Sequence, residues 1–349
     1  MFRDQPDGRR PAPATRHPAL AVVGLALLLL LQACAPRPEP PAAPSPTRDE
    51  TPSAAATRAD PTPLDGRVIA DAQEYPWSAL GRVNLAGQGF CTGVLIAPQL
   101  VLTQAQCLYS KREGRWWQPQ ELHFIAAYQR DRFLADSKIA GFTPAPGYTP
   151  AAGANLANLT NNWAILKLAE PIGLKTGWLG LQWRDPGLDA REARGEAVTL
   201  RAGYRFDWPH AVSLYFGCKG REAGVTDLCQ ATPSERGLPP FVMADGEMRV
   251  LADFFVRGAA QGSALARQAA MTRRGNLLGD PGQPADRGPV RAVPTASATT
   301  LLLALGYVNA SRDVQAAAAD YAADLGLPPR RPLDLSLLAA MIRSAQRIQ

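Results

Sequence analysis

The residues best suited to chemistry lie in one stretch, Phe90 to Leu108, which reads F-C-T-G-V-L-I-A-P-Q-L-V-L-T-Q-A-Q-C-L. An apolar, β-branched run ends at a proline-containing turn, and a second short apolar run follows, which predicts a β-hairpin. Cys91 opens the first strand and Cys107 follows the second. Because a hairpin brings these two positions back near each other, the sequence predicts a disulfide between them.

This stretch resembles the central part of trypsin-like serine peptidases, in which C-x-G-x-x-[IL] leads through a hairpin into T-A-A-H-C. Acyl transfer by their mechanism needs a hydroxyl nucleophile, a base that takes its proton and a carboxylate that orients the base. The resemblance implies a catalytic histidine just before Cys107, but that position is Gln106. A carboxamide does not titrate near neutral pH, so Gln106 cannot be the base.

The orienting carboxylate of the family lies in the motif D-[IW]-A-[LI]-[LI]-[KR]-L. The matching segment here begins at Asn162 and reads N-W-A-I-L-K-L. The resemblance therefore places Asn162 where the family has its aspartate. In a serine peptidase, an aspartate-to-asparagine change at this position alone lowers turnover by about 10⁴.

The nucleophile of the bacterial, glutamyl-endopeptidase-like branch of the family lies in C-[DQ]-x-T-x-G-D-S-G-[SG]-P. The corresponding run here is C-Q-A-T-P-S-E-R-G-L-P, which places Arg236 at the nucleophile position. A guanidinium stays protonated at physiological pH and cannot attack a carbonyl. The resemblance thus implies a peptidase fold without catalytic residues, because Gln106, Asn162 and Arg236 replace all three members of the triad.

The alternative interpretation is an active serine endopeptidase in which another serine, such as Ser213 or Ser234, has become the nucleophile. Of the three histidines, His17 precedes the mature chain, His123 is expected to be a satisfied histidine on a barrel strand, and His210 an exposed loop residue. No His, Cys, Asp or Glu cluster has metal-ligand spacing and no glycine-rich phosphate loop is present. We therefore expect no metal and no cofactor.

Cysteine usage predicts an oxidising compartment. The chain has five cysteines, and setting Cys34 aside as a lipid-attachment site leaves an even number suited to two disulfides. Three pairings are formally open. The resemblance favours the local pairs Cys91–Cys107 and Cys218–Cys229.

The N-terminus is typical of an exported protein. Several arginines precede an apolar run, Ala19–Leu31. This run is shorter than the roughly 20 residues of a membrane-spanning helix. Residues 1–33 are thus predicted to be a signal peptide. The ending L-Q-A-C resembles a bacterial lipobox and implies that Cys34 is acylated; the alternative is ordinary cleavage nearby. Residues 34–64, rich in proline and alanine, are predicted to be an extended linker.

Short apolar runs between turn residues, without a helical period, predict an all-β domain over residues 65–272. The resemblance specifies a trypsin-like double β-barrel. Beyond the central hairpin, the predicted strands are Arg82–Leu85, Leu122–Ala127, Phe133–Ala140, Asn161–Leu168, Ala197–Ala202, Ala211–Phe216 and Val250–Val256. Residues 141–159 are predicted to be a loop, residues 262–272 a closing helix and residues 273–293 a second linker.

Apolar residues at helical spacing predict a small three-helix domain over residues 294–349. Its predicted helices are Pro294–Ala304, Ser311–Leu325 and Asp334–Arg347. The segments L-L-A-L-G-Y and D-L-G-L within it resemble a peptidoglycan-binding-like module, which implies peptidoglycan as a partner. The alternative is a helical domain without a glycan site.

Composition excludes one class of partner. The chain has 349 residues and a formal net charge of +6, but no Arg/Lys-rich run with interleaved aromatic residues, so nucleic-acid binding is not expected. The sequence as a whole predicts a catalytically inactive, trypsin-like protein of the cell envelope. We expect a periplasmic or outer-membrane lipoprotein, held at a membrane by its anchor, that binds a protein or peptide in the inactive cleft.

Overall fold

The computed structural model describes residues 58–152, 158, 161–182, 186–216, 239–251, 294–328 and 332–348. Several predicted features lie outside these residues: His17, Cys34, Cys218, Cys229, Ser234, Arg236, the helix over 262–272 and the linker over 273–293.

The described residues form strands in their first part and helices mainly at the C-terminal end. The strands are β1 (Arg67–Ala70), β2 (Leu80–Leu85), β3 (Phe90–Ala97), β4 (Leu100–Thr103), β5 (Tyr109–Ser110), β6 (Arg115–Trp116), β7 (Leu122–Ala126), β8 (Ala135–Pro144), β9 (Ala164–Leu168), β10 (Gly180–Gln182), β11 (Ala197–Gly203), β12 (Val212–Tyr215), β13 (Pro240–Ala244) and β14 (Glu247–Leu251). The helices are α1 (Gly173–Thr176), α2 (Pro186–Ala193), α3 (Thr295–Ala304), α4 (Val314–Asp324) and α5 (Leu335–Arg347).

Six strands close into a barrel in the order β2-β3-β4-β9-β8-β7. The Phe124 ring on β7 fills part of its interior and is fully buried. Gly81 on β2 pairs with Gly93 on β3, and a Cβ at Gly81 would lie only 2.4 Å from Cζ of Phe124. The two glycines therefore make room for the aromatic ring.

The remaining long strands form a second sheet in the order β1-β12-β11-β13-β14-β10. Within the described residues this sheet is open. In place of two closed barrels, the described residues thus form one closed barrel and one open six-stranded sheet. The strand predicted as Val250–Val256 begins three residues earlier than predicted, at Glu247. Strand β13 was missed, although the Asp245–Gly246 turn after it has positive φ at both residues, as a two-residue hairpin requires.

The predicted C-terminal helical region is confirmed, with one change of boundary. Helix α4 begins at Val314 and is capped by Asp313, whose side chain accepts hydrogen bonds from the backbone N–H groups of Gln315 and Ala316. The predicted cap, Ser311, instead ends a 3₁₀ turn that starts at Val308. Helix α5 begins after Asp334, as predicted.

The helical region shares a hydrophobic core with the β-structure. Helix α3 packs against β1, and α5 packs against β11, β13 and β14. At the N-terminus of α3, the buried Glu74 carboxylate accepts a hydrogen bond of 3.3 Å from the Ala296 N–H. A carboxylate is favourable there because the helix dipole is positive at that end.

The last residues of the predicted linker, 58–64, are in contact with the helical region. The Ala59 N–H donates to the Gly306 carbonyl oxygen at 2.7 Å, and the Thr62 N–H donates to the Ala304 carbonyl oxygen at 2.7 Å. Arg58 binds the Asp324 carboxylate at 2.7 Å, and its guanidinium lies 4.5 Å from the centre of the Tyr307 ring. This segment, termed the N-terminal strap (residues 58–62), therefore covers the L-G-Y segment of the helical region.

Candidate functional site

Two of the three predicted triad positions lie side by side at one end of the barrel. Strands β4 and β9 are antiparallel, with Thr103 paired to Ala164, so the end of β4 adjoins the start of β9. Gln106 lies in a 3₁₀ turn just after β4, and Asn162 just before β9. The Gln106 backbone N–H donates a hydrogen bond of 2.9 Å to Oδ1 of Asn162.

The side chains at these two positions cannot perform acid–base catalysis. The Gln106 amide is exposed and its Nε2 donates to Oε1 of Gln104 at 2.8 Å. Neither a glutamine nor an asparagine carboxamide gains or loses a proton near neutral pH. Neither side chain at these two positions can therefore act as a titrating base or acid. The third position, Arg236, lies outside the described residues.

The predicted disulfide between Cys91 and Cys107 is confirmed, with a Cα–Cα distance of 6.2 Å. It ties β3 to the turn that carries Gln106. Behind it, the buried Thr103 hydroxyl donates to the Thr92 carbonyl oxygen at 2.9 Å. The Tyr204 N–H, just after β11, donates to Oγ1 of Thr92 at 2.8 Å. The barrel is thus joined to the second sheet directly beneath the candidate site.

A cavity of about 380 Å³ opens beside the disulfide, and we refer to it as the cleft. Its lining includes Gln106 and two aromatic residues, Phe90 and Phe206, whose ring centres are 5.4 Å apart. Phe206 is 69% exposed although it is a large apolar side chain. An exposed aromatic residue at the rim of a cavity is typical of a binding surface.

Two basic side chains also line the cleft. Lys111 and Arg112 lie in the turn between β5 and β6 and are both exposed. The strand that follows is anchored by Arg115, which binds both carboxylate oxygens of Glu121 at 2.7 Å. The hydrogen bond from Arg115 is the main cause that lowers the pKa of Glu121 to about 2. Glu121 therefore stays charged throughout the physiological pH range. The ion pair of Glu121 with Arg115 is thus kept over that range.

His123 and His210 do not form a substitute triad with the described serines. His123 on β7 shares a hydrogen bond of 2.8 Å with Oδ2 of Asp136, as expected of a satisfied barrel histidine. His210 is an exposed loop residue, and its Nδ1 is 3.3 Å from the Tyr128 hydroxyl. Ser213 is buried, and its hydroxyl has no hydrogen-bond partner among the described residues. It therefore lacks the base that a relocated nucleophile would need.

Apart from Gln106 and the two cysteines, sequence reasoning did not identify the side chains that line the cleft. Lys111 and Arg112 occupy an ordinary turn, and Phe206 lies in the Y-R-F-D-W segment after β11. The available signal was that segment, in which three aromatic residues alternate with two charged ones. Only the folded structure brings the loop after β11 to the turn after β5.

Two further features are absent from the described ranges. No three His, Cys, Asp or Glu side chains there are grouped as metal ligands would be. None of the helices in those ranges combines the length and the apolar character that crossing a membrane requires.

Comparisons with known proteins show what the β-structure is similar to. Residues 66–200 match the family model described as Trypsin. Human serine protease 56 is 28% identical over 219 residues, which make up 56% of this chain and 35% of that protein. The chain thus spans about a third of the length of that relative. A solved structure of a Glu endopeptidase, in complex with MPD, is similar with a TM-score of 0.40 and 18% identity, over 57% of this chain and 97% of the other.

The family match and the observed architecture agree. The chain has a trypsin-like fold with a closed six-stranded barrel, followed by a C-terminal helical region. The matched residues contain both Gln106 and Asn162, so the two positions predicted to correspond to triad members lie within the part of the chain that resembles the family.

Proposed function

We propose that this chain is a catalytically inactive trypsin-like peptidase homologue that acts by binding. The observation that carries the proposal is the hydrogen bond of 2.9 Å between the Gln106 N–H and Oδ1 of Asn162. It joins the two positions where the base and its orienting carboxylate belong, and neither residue can titrate. A protein that keeps this geometry without its chemistry is suited to holding a polypeptide rather than cleaving it.

The side chains that line the cleft indicate which kind of polypeptide it would bind. Phe90 and Phe206 provide an apolar wall, and Lys111 and Arg112 provide positive charge at the rim. An apolar side chain can lie against the aromatic rings while a neighbouring carboxylate meets the basic turn. We therefore propose a peptide or protein segment with an acidic residue next to an apolar one as the ligand of the cleft.

Fluorophosphonate labelling of the purified protein tests the absence of catalysis. We expect no covalent label, because a probe of this kind reacts only with a serine that a base has activated. An active trypsin-like peptidase, treated in parallel, serves as the positive control. The variant with Gln106→His, Asn162→Asp and Arg236→Ser shows whether the scaffold can still support the reaction.

Labelling of the wild-type protein would overturn the proposal of inactivity. Peptide mapping would then identify the labelled serine. A label on Ser213 or Ser234 would support the alternative function, an active serine endopeptidase with a relocated nucleophile. A label that disappears in the Gln106→Ala variant would instead assign a role in the reaction to Gln106.

We further propose that the protein works at the cell envelope as a lipoprotein anchored through Cys34, on the periplasmic side of its membrane. The proposal rests on the L-Q-A-C ending of the predicted signal peptide. In cell fractionation, the wild type is expected with membranes and the Cys34→Ser variant in the soluble fraction. A Cys34→Ser protein that remained with the membranes would contradict the anchor.

Peptidoglycan is the proposed cell-wall partner of the helical region. The L-G-Y segment on which the resemblance rests is covered by the N-terminal strap, since Ala59 and Thr62 donate hydrogen bonds to Gly306 and Ala304. We therefore propose that glycan contacts are made by other surfaces of the helical region. Sedimentation of the protein with isolated peptidoglycan sacculi tests this; protein that stays in the supernatant would exclude the glycan as a partner.

A further inference from the structure

Helix α5 carries two arginines on one face near its C-terminal end. Arg343 and Arg347 are four residues apart, a spacing that places two side chains on the same side of a helix with their Cβ atoms about 6 Å apart. Arg343 is partly buried and Arg347 is exposed. Like charges at this spacing repel each other, so the pair by itself destabilises the helix.

Neither guanidinium has an acidic partner in the described part of the chain. No carboxylate there forms an ion pair with Arg343 or Arg347, and no group there accepts a hydrogen bond from either. The acids nearby are bound by other arginines. Glu196, in the turn before β11, is bound by Arg194 at 2.7 Å. Asp324, at the end of α4, is bound by Arg58 at 2.7 Å.

The Arg343 side chain is held against the protein but its guanidinium stays accessible. Its Cδ and Nε atoms lie 3.6 and 3.7 Å from the position that a Cβ at Gly195 would take. The side-chain stem therefore rests on the turn between α2 and β11. None of its nitrogen atoms is among the buried polar atoms that lack a partner, so these unpartnered nitrogens face the solvent. A ligand from solution can reach them.

The polar groups beside the two arginines are neutral. The Tyr321 hydroxyl on α4 and Oγ of Ser344 on α5 form a hydrogen bond of 2.9 Å. Burial raises the pKa of Tyr321, so its hydroxyl stays protonated at neutral pH. Burial also lowers the pKa of Arg343, and the charge of Arg347 acts in the same direction. Because arginine nevertheless stays protonated at physiological pH, both positive charges persist beside these neutral hydroxyls.

The helix dipole accounts for only one of the two arginines. The C-terminal end of a helix carries a partial negative charge, which favours a cation in the last turn. Arg347 lies in the last turn of α5. Arg343 lies one turn earlier, where this effect has fallen off. The dipole therefore does not explain why a partly buried guanidinium is placed beside a second one.

We propose that Arg343 and Arg347 form a binding site for a phosphate group. A phosphate monoester carries about two negative charges at neutral pH and offers three acceptor oxygens, which suits two guanidinium groups. The same chemistry is presented by free phosphate and by a lipid whose head group is a phosphate monoester. The site lies on α5, apart from the residues that line the cleft, and does not depend on the function proposed for the cleft.

Titration of the ¹⁵N-labelled full chain with inorganic phosphate, followed by NMR at constant ionic strength, tests this proposal. The backbone amide signals of Arg343 and Arg347 should shift as phosphate binds. Acetate is the control anion. Because it carries a single charge, it should bind more weakly than phosphate by about tenfold or more.

Arg343→Met should weaken phosphate binding by about tenfold or more, the range for a hydrogen bond to a charged group. Its urea midpoint without phosphate should be no lower than that of the wild type, because the variant loses no ion pair and removes a repulsion. Arg312→Met is the matched control. Arg312 is an exposed residue that precedes α4, so this variant removes the same charge outside α5. It should leave phosphate binding unchanged.

Vesicle sedimentation distinguishes the two sources of phosphate. Phosphatidylcholine vesicles with about one fifth phosphatidate present phosphate monoesters, and pure phosphatidylcholine vesicles do not. If a lipid is the source, the wild type should sediment with the phosphatidate vesicles more than Arg343→Met does, and the two proteins should behave alike on pure phosphatidylcholine. Equal sedimentation of both proteins on both vesicles, together with the NMR shifts, indicates free phosphate.

Three results would overturn the proposal. The first is that the amide signals of Arg343 and Arg347 do not respond to phosphate. The second is equal affinity for phosphate and acetate, which would show that the two arginines do not act together. The third is an Arg343→Met variant that binds phosphate as well as the wild type does, or an Arg312→Met variant that loses as much binding as Arg343→Met.

Discussion

Replacing Gly81 by alanine should lower the free energy of unfolding by about 3 kcal/mol, at the upper end of the usual cost of overpacking. The added Cβ would lie 2.4 Å from Cζ of Phe124 and 2.5 Å from the carbonyl oxygen of Ile125. The ring cannot move away because it is fully buried. The carbonyl cannot move without disturbing the pairing of β2 with β7. Urea unfolding of the variant measures the effect.

Gly141→Ala provides the matched control for this prediction. Gly141 also lies on a barrel strand, β8, but a Cβ there would have no atom within 4 Å among those considered. Its unfolding free energy should therefore change by no more than about 0.5 kcal/mol. The double variant Gly81→Ala/Phe124→Leu should recover part of the loss, because the smaller side chain vacates the space that the new methyl group needs. Equal stability of Gly81→Ala and Gly141→Ala would contradict the packing argument.

Gly306→Ala should cost about 3 kcal/mol and release the N-terminal strap from the helical region. A Cβ at Gly306 would lie 2.1 Å from the Ala59 carbonyl oxygen, and the residue has φ of +93°. Steric overlap and backbone strain therefore act together. Hydrogen exchange of the Ala59 and Thr62 amides, which bond to Gly306 and Ala304, should become at least tenfold faster in the variant.

Gly326→Ala separates the two causes. Gly326 has φ of +69°, but a Cβ there would meet no neighbouring atom within 4 Å. Its cost should be that of left-handed backbone strain alone, about 1 kcal/mol. The exchange rates of Ala59 and Thr62 should stay at their wild-type values in this control. If both variants lost the same stability, or if the strap amides of Gly306→Ala stayed protected, the proposed contact of strap and helical region would be wrong.

Gly81 and Gly306 each allow a close contact on which the proposed function depends. Gly81 lets the barrel close around Phe124, and the closed barrel brings the end of β4 to the start of β9. Gln106 and Asn162 lie at that junction. Gly306 lets the strap cross the helical region, so the chain that leads from the predicted anchor reaches the folded part at the L-G-Y segment. Both sites depend on contacts that are distant in sequence.

The central hairpin and its disulfide could be read from the sequence. Each depends on short-range information: an apolar run, a turn proline, or a residue type inside a recognisable motif. The helix start at Asp334 was readable for the same reason, because its side chain caps a backbone N–H only three residues away, that of Leu337. The cap of α4 was misplaced from Asp313 to Ser311, since both residue types cap helices and the 3₁₀ turn that ends at Ser311 leaves no periodic signal.

Residue types alone determined that Gln106 and Asn162 cannot act as base and orienting acid, because whether a group titrates near neutral pH is a property of the side chain. Only the tertiary structure decided what surrounds them. Phe206 and Lys111 come from separate loops, and they line one cleft because barrel and second sheet pack together beneath them. The sequence likewise does not show that the Ser213 hydroxyl is buried without a hydrogen-bond partner among the described residues. Burial and the absence of a partner depend on strands and loops that meet only after folding, whereas local patterns report only on neighbours along the chain.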